Sequence, residues 1–243
     1  MRPICEVNLA ATLSDLAKAA AYLDQGRAVS HSSGDKDGEA RALIDYGNLK
    51  ALGGDVKGSL ALYRDALDIS RKIPNKVTEA LALERSGVQL VNSGDLNGAE
   101  QNYSSALAIR RQIGDLSGQA GILGLLGGLA RARNDNFAAL EHYRGALEIR
   151  RAIGDKFGTA VSQLTIAHAL RFQGKLEEAR STLAGALTEV EALRQRIVAP
   201  QLRMRYFGGL QRFYEEYIDL LMQMNRAARD AGHDRTAFTS VRL

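Results

Sequence analysis

Apolar residues recur along most of this chain at steps of three and four, the spacing of one face of a helix. Tyr63, Ala66, Leu67 and Ser70 show the step once. The set returns forty residues on as Tyr103, Ala106 and Leu107, then as Tyr143, Ala146 and Leu147, and a fourth time as Leu183, Ala186 and Leu187. Segments 54–73, 94–113, 134–153 and 174–193 therefore align without a gap. Ile69, Ile109 and Ile149 extend the agreement, as do Ile73, Ile113 and Ile153.

A second set lies between these segments. Gly47, Gly87, Gly127 and Ala167 share one register, Ala40, Ala80, Ala120 and Ala160 another, and Leu43, Leu83 and Leu123 a third. Each forty-residue unit thus holds two helices, predicted over 38–53 and 56–73 in the first copy. Gly-Asp pairs at Gly34-Asp35, Gly54-Asp55, Gly94-Asp95, Gly114-Asp115 and Gly154-Asp155 punctuate the ends. Glycine closes a helix in the left-handed conformation at low cost, and the aspartate beside it caps the next helix.

This register resembles the tetratricopeptide repeat (TPR), W-x2-L-G-x2-Y…A-x3-F with a later alanine. The small residue of the first helix falls on Gly47, Gly87, Gly127 and Ala167. The A-x3-F element falls on Ala99/Tyr103 and Ala139/Tyr143, with Ser59/Tyr63 and Ala179/Leu183 as variants. Two features depart from the family pattern: its period is 34 residues, and its closing proline is missing here. The added length is expected in the second helix, as in longer bacterial variants. The resemblance covers about 38–193, and 13–29 resembles the second helix of one worn repeat. It implies an all-α fold, a right-handed α-solenoid of TPR helical hairpins with a C-terminal capping helix.

Three segments follow: 1–37, with the worn half-repeat; 38–193, the array of four repeats; and 194–243, capping or linker helices and a tail. After Pro200 a helix is predicted from about Gln201 to Met224, with Leu202, Phe207, Leu210, Phe213, Tyr214, Tyr217, Leu221 and Met224 on its apolar face. A cap is the plain reading, since the ends of repeat arrays need covering. Leu202-Arg203, Tyr206-Phe207, Tyr214, Tyr217 and Ile218–Leu221 also resemble the stretch that precedes CHAT domains, caspase-like peptidase modules of bacteria. That likeness implies the sensor part of such a peptidase, whose paired His and Cys are not in this chain.

Composition narrows the chemistry. Apolar residues make up 45% and charged residues 25%, ordinary for a folded protein. Cys5 is the only cysteine, so no internal disulfide forms, and no Cys/His cluster offers a metal site. No run approaches the roughly 18 apolar residues of a membrane span, nor is there a signal peptide, so the chain reads as cytoplasmic. The net charge of +4 is spread along the sequence. With no helix-turn-helix signal, nucleic acid is disfavoured as a partner. His31, His142, His168 and His233 are scattered. The adjacent pairs Glu177-Glu178 and Glu215-Glu216 point apart on a helix and make no acid/base dyad. No phosphate loop is present. No catalytic residue, metal ligand or cofactor site is expected, and the chain is read as not an enzyme.

The TPR resemblance places a binding groove along the first helices. Mapped onto this chain it comprises Arg41, Asp45, Asn48, Arg85, Asn92, Arg131, His168 and Arg171. Its positive groups favour an acidic or carboxylate-bearing protein or peptide, because arginine pairs a carboxylate through two bonds. Ile44 and Glu84 at one basic position speak against the clamp for chaperone tails. Gly121, Gly124 and Gly128 form a smooth strip on one helix, where either a partner approaches closely or neighbouring repeats pack tightly. Each interior glycine costs about 1 kcal/mol relative to alanine. Arg71, Arg110, Arg111, Arg150 and Arg151 recur near helix C-termini, where cations offset the helix dipole.

The reading is a protein–protein interaction scaffold or adaptor. Two alternatives stay open: the non-catalytic sensor of a TPR–CHAT peptidase, and the TPR section of a bacterial transcription regulator. A homodimer through 201–224 also stays open.

Overall fold

The computed structural model describes residues 3–196 and 200–230, with side chains from 18–195, 211–227 and 229. Cys5, His233 and the predicted apolar residues Leu202, Phe207 and Leu210 lie outside the described side chains. The described residues are helical throughout, with no strand. A 31-residue helix α1 (Pro3–Ser33) comes first. Eight helices follow in chain order: α2 (Lys36–Leu52), α3 (Val56–Ser70), α4 (Lys76–Ser93), α5 (Leu96–Gln112), α6 (Leu116–Ala132), α7 (Asn136–Ala152), α8 (Lys156–Phe172) and α9 (Leu176–Arg196); α2 packs on α3, α4 on α5 and α8 on α9. A single helix α10 (Pro200–Asp230) closes the chain. It runs six residues past the predicted end at Met224. The all-α class of TPR helical pairs with a terminal single helix is the one expected.

The turns repeat at half the sequence period. Positive φ occurs at Gly34, Gly54, Gly94, Gly114, Gly154 and Gly174, and at Asn134 in the same register. Asparagine tolerates this conformation better than most side chains. After each of the first five glycines, and after Asn134, an aspartate caps the next helix. Asp95, for instance, accepts the Gly98 N–H at 2.9 Å, and Asp135 accepts that of Ala138 at 2.9 Å. Pro74 breaks the series, and Asn75 caps α4 through the Val77 N–H instead. Because punctuation falls every twenty residues, first and second helices are similar in length, 17 residues in each of α2, α5, α6, α7 and α8, with α9 longer at 21. The added length is thus shared between both helices rather than confined to the second.

The described chain forms two compact units, 1–129 and 130–243. The core of the first is built on Tyr63 and Tyr103, with Ala66, Ala99 and Ala106 fully enclosed around them. A Cβ on Gly47 would clash with the carbons along one edge of the Tyr63 ring, and one on Gly87 with those of the Tyr103 ring. The bare glycine backbone is what lets each ring lie flat against the preceding helix. Burial pushes the Tyr103 phenol up to about 12. Tyr46 ties α2 to α1 by donating to the Ala20 carbonyl at 3.2 Å. The second unit has its own core, including Tyr143, Leu164, Leu170, Leu183, Val190, Phe213 and Leu220. There Ala167 and Leu183, both fully enclosed, stand in the register of the glycine and the tyrosine. The larger small residue goes with the smaller large one, which conserves packed volume.

Candidate functional site

Five of the predicted groove residues belong to the first unit. Arg41 is held by Asp37 one turn earlier at 2.8 Å. Asp37 also accepts from Thr78 of α4 at 2.5 Å, fixing one first helix to the next. Asn48 is structural: its Oδ1 accepts the Tyr63 hydroxyl at 2.9 Å, and its Nδ2 reaches Asp45 at 3.4 Å. Asn92 reaches Gln89 at 3.4 Å. Arg85 is exposed, with no ion pair among the described residues; its charge is felt by the Tyr63 phenol, which burial raises and Arg85 lowers.

The other three, Arg131, His168 and Arg171, meet in the second unit. With Phe172, Glu216, Asp219 and Gln223 they line a cavity of about 500 Å³. Helix periodicity brings His168 and Arg171 to one face of α8, and α10 supplies the opposite wall. Glu216 Oε2 lies 2.7 Å from His168 Nε2 and accepts from Arg171 at 3.1 Å. Gln223 Oε1 accepts from the Arg171 Nε at 3.2 Å. The His168 contact is Coulombic rather than an aligned hydrogen bond, for Nε2 has no aligned partner. Burial pushes the His168 imidazole below its ordinary value; Glu216 opposes this, and the Arg171 and Arg212 charges add to it. Arg131 is exposed and free of ion pairs among the described residues. Phe172 presents its ring at 71% exposure beside it.

Sequence reasoning missed Glu216. It did separate Glu215 from Glu216 correctly: Glu215 turns outward to accept from Gln211 at 2.7 Å. The missed signal was spacing, since Glu216 stands three residues after Phe213 and four before Leu220, on the buried stripe of α10. That stripe itself needs correction. Phe213 and Leu220 are its buried members, with Tyr217 and Met224 packed against the core. Tyr214 is instead 41% exposed, its hydroxyl on Glu191 of α9, because it sits about 100° around the helix from Phe213.

The recurrent arginines divide in two. Arg71, Arg111 and Arg151 are exposed, in keeping with a dipole role. Arg110 and Arg150 occupy the register of fully buried Ser70 and Val190, so they turn inward. Arg110 pairs with Asp115, the N-terminal cap of the next helix, and lies 3.6 Å from Glu84. Arg150 donates to the Gly158 carbonyl at 3.0 Å and to Ser162 at 2.8 Å. Both bind successive helices together, which a dipole account omits. In the glycine strip, a Cβ at Gly121 or Gly124 would meet nothing within 4 Å. These two glycines therefore face open space rather than a tightly packed neighbour. No group of three or more metal-binding side chains occurs among the described residues, and no described helix is long and apolar enough to cross a membrane.

These features define a TPR-type helical-repeat protein, and the repeat is a non-catalytic protein-interaction module. The tetratricopeptide repeat family model matches residues 118–188. The fold is similar to BtubC (BKLC) from P. vanneervenii, with a TM-score of 0.67 and 17% identity over 94% of this chain and 95% of that one. It is also similar to part of a signal transduction ATPase with numerous domains and a tetratricopeptide repeat sensor, from Pyrococcus horikoshii. That likeness has a TM-score of 0.62 and 14% identity, over 80% of this chain and 31% of that one. No curated protein matches.

Proposed function

We propose that the chain is a cytoplasmic scaffold that holds an acidic segment of a partner protein against the cavity of its second unit. One observation carries this reading: Arg131 is exposed and unpaired at the rim of a cavity whose other arginine, Arg171, already binds a carboxylate, that of Glu216. Glu216 shows within the molecule how a partner's Asp or Glu engages this wall. The exposed Phe172 ring offers an apolar contact beside it, suited to a segment that alternates acidic and hydrophobic residues.

The test is a pull-down from the native lysate, read by mass spectrometry, with wild type beside Arg131→Glu and Arg85→Glu/Arg131→Glu. Both arginines are exposed and unpaired, so neither change disturbs the fold. A partner lost from Arg131→Glu and bound again as a synthetic acidic peptide supports the reading. A partner retained by both variants refutes it.

A second reading is favoured by the likeness to the ATPase that carries a TPR sensor. Here the chain is the sensing segment of a larger signalling protein, either a transcription regulator or a CHAT peptidase. The adjoining coding sequence distinguishes them: an ATPase or winged-helix module supports the regulator, and a His/Cys module the peptidase.

A further inference from the structure

The cavity of the second unit holds two carboxylates, and they are placed differently. Asp219 is exposed and has no ion pair among the described residues. The Glu216 side chain is 21% exposed and sits against the cations of α8. Both of its contacts fall on one oxygen, Oε2, which lies 2.7 Å from His168 Nε2 and 3.1 Å from Arg171 Nη1. Gln223, about two turns further along α10, accepts from the Arg171 Nε at 3.2 Å. The guanidinium is thus oriented by Gln223, while Glu216 meets it through a single oxygen. The stronger arrangement for this pair uses both carboxylate oxygens.

The hold of α10 on the second unit does not rest on Glu216. Phe213 and Leu220 are buried, and Tyr217 and Met224 pack against the same core. Glu216 can therefore leave Arg171 by turning its own side chain, beside a cavity of about 500 Å³, while the helix stays docked.

We propose that Glu216 is a built-in competitor for the acidic segment, so that α10 sets the affinity of this cavity. The inference rests on the acidic-segment reading above. A carboxylate carried on a docked helix competes at high effective concentration. The affinity for a partner is lowered by the fraction of time that Arg171 is occupied. A partner's carboxylate displaces Glu216 by engaging Arg171 through both oxygens, with Arg131 and Phe172 as further anchors.

Fluorescence anisotropy with the full chain tests this, using a short fluorescein-labelled peptide that alternates glutamate and leucine. Circular dichroism melts confirm the fold of each variant. Glu216→Gln keeps the side chain's size and removes its charge, and should tighten binding roughly five- to tenfold. Glu216→Asp draws the charge back by one methylene and should give a smaller gain of the same sign. Adding Arg171→Gln to Glu216→Gln should cancel the gain. Asp219→Asn removes the same charge from the same lining and should gain clearly less. Folded Glu216 variants that bind no tighter than wild type overturn the proposal. So does an equal gain from Asp219→Asn, which would reduce the effect to net charge. Binding that survives Arg131→Glu yet tightens with Glu216→Gln refutes the role given to Arg131 and supports the competitor. No binding by any form overturns both readings.

Discussion

Glu216 of α10 lies 2.7 Å from His168 of α8, inside a wall where the imidazole is otherwise enclosed. Burial holds the His168 pKa below its ordinary 6.5, with Arg171 and Arg212 reinforcing and Glu216 opposing. The unfolded chain therefore takes up this proton before the folded chain does. The contribution to stability is complete above pH 6.5 and is lost as pH falls from there through the lower folded value. Thermal melts at stepwise lower pH should show this slope in wild type and a flatter one in His168→Gln. Parallel slopes would assign the acid sensitivity to another group.

Gly87 and Tyr103 predict a compensating pair. Gly87→Ala drives a methyl group into the ring and should destabilise by about 1–3 kcal/mol, the range for overpacking. Gly87→Ala with Tyr103→Leu recreates the Ala167/Leu183 arrangement of the fourth unit and should recover much of the loss. Urea denaturation of both single variants and the double measures the coupling. Simple additivity would mean that the two residues do not share the packing seen here.

Gly124 predicts the opposite sign. A methyl group there meets nothing within 4 Å, so Gly124→Ala should gain up to about 1 kcal/mol from helix propensity. The same melts check it. A loss of stability would show that the strip is covered by another part of the chain.

Asp115 has two tasks and Asp55 one of the same kind. Asp115 caps α6 at the Gly118 N–H, 2.8 Å away, and pairs with buried Arg110. Asp55 caps α3 with only exposed Lys50 nearby. Asp115→Ala should therefore destabilise by about 1–3 kcal/mol, because it removes a cap and leaves buried Arg110 with only the longer Glu84 contact. Asp55→Ala should cost clearly less in the same denaturation series. Equal losses would mean that the Arg110 pair adds nothing beyond the cap.

The sequence alone determined the helical class, the forty-residue repeat, the caps and the shared registers of the glycines and tyrosines. Each of these rests on local conformation or on a spacing repeated several times, and repetition separates signal from chance. It also placed His168 and Arg171 on one face of a helix, since that needs only helix periodicity, while Arg131 on another helix entered the groove only through the TPR resemblance. The tertiary structure decided what lies opposite that face: which carboxylate of Glu215 and Glu216 turns toward His168, and which groove cations are left unpaired. It decided that Arg110 and Arg150 point inward while Arg111 and Arg151 stay out. It also decided that Tyr214, Ile218 and Met222 are bare while Phe213 and Leu220 are enclosed. The physical reason is that helix periodicity fixes the angle between two side chains on one helix. Which of two apolar stripes is buried, or which charge finds a partner, depends on the neighbouring helix that packs there.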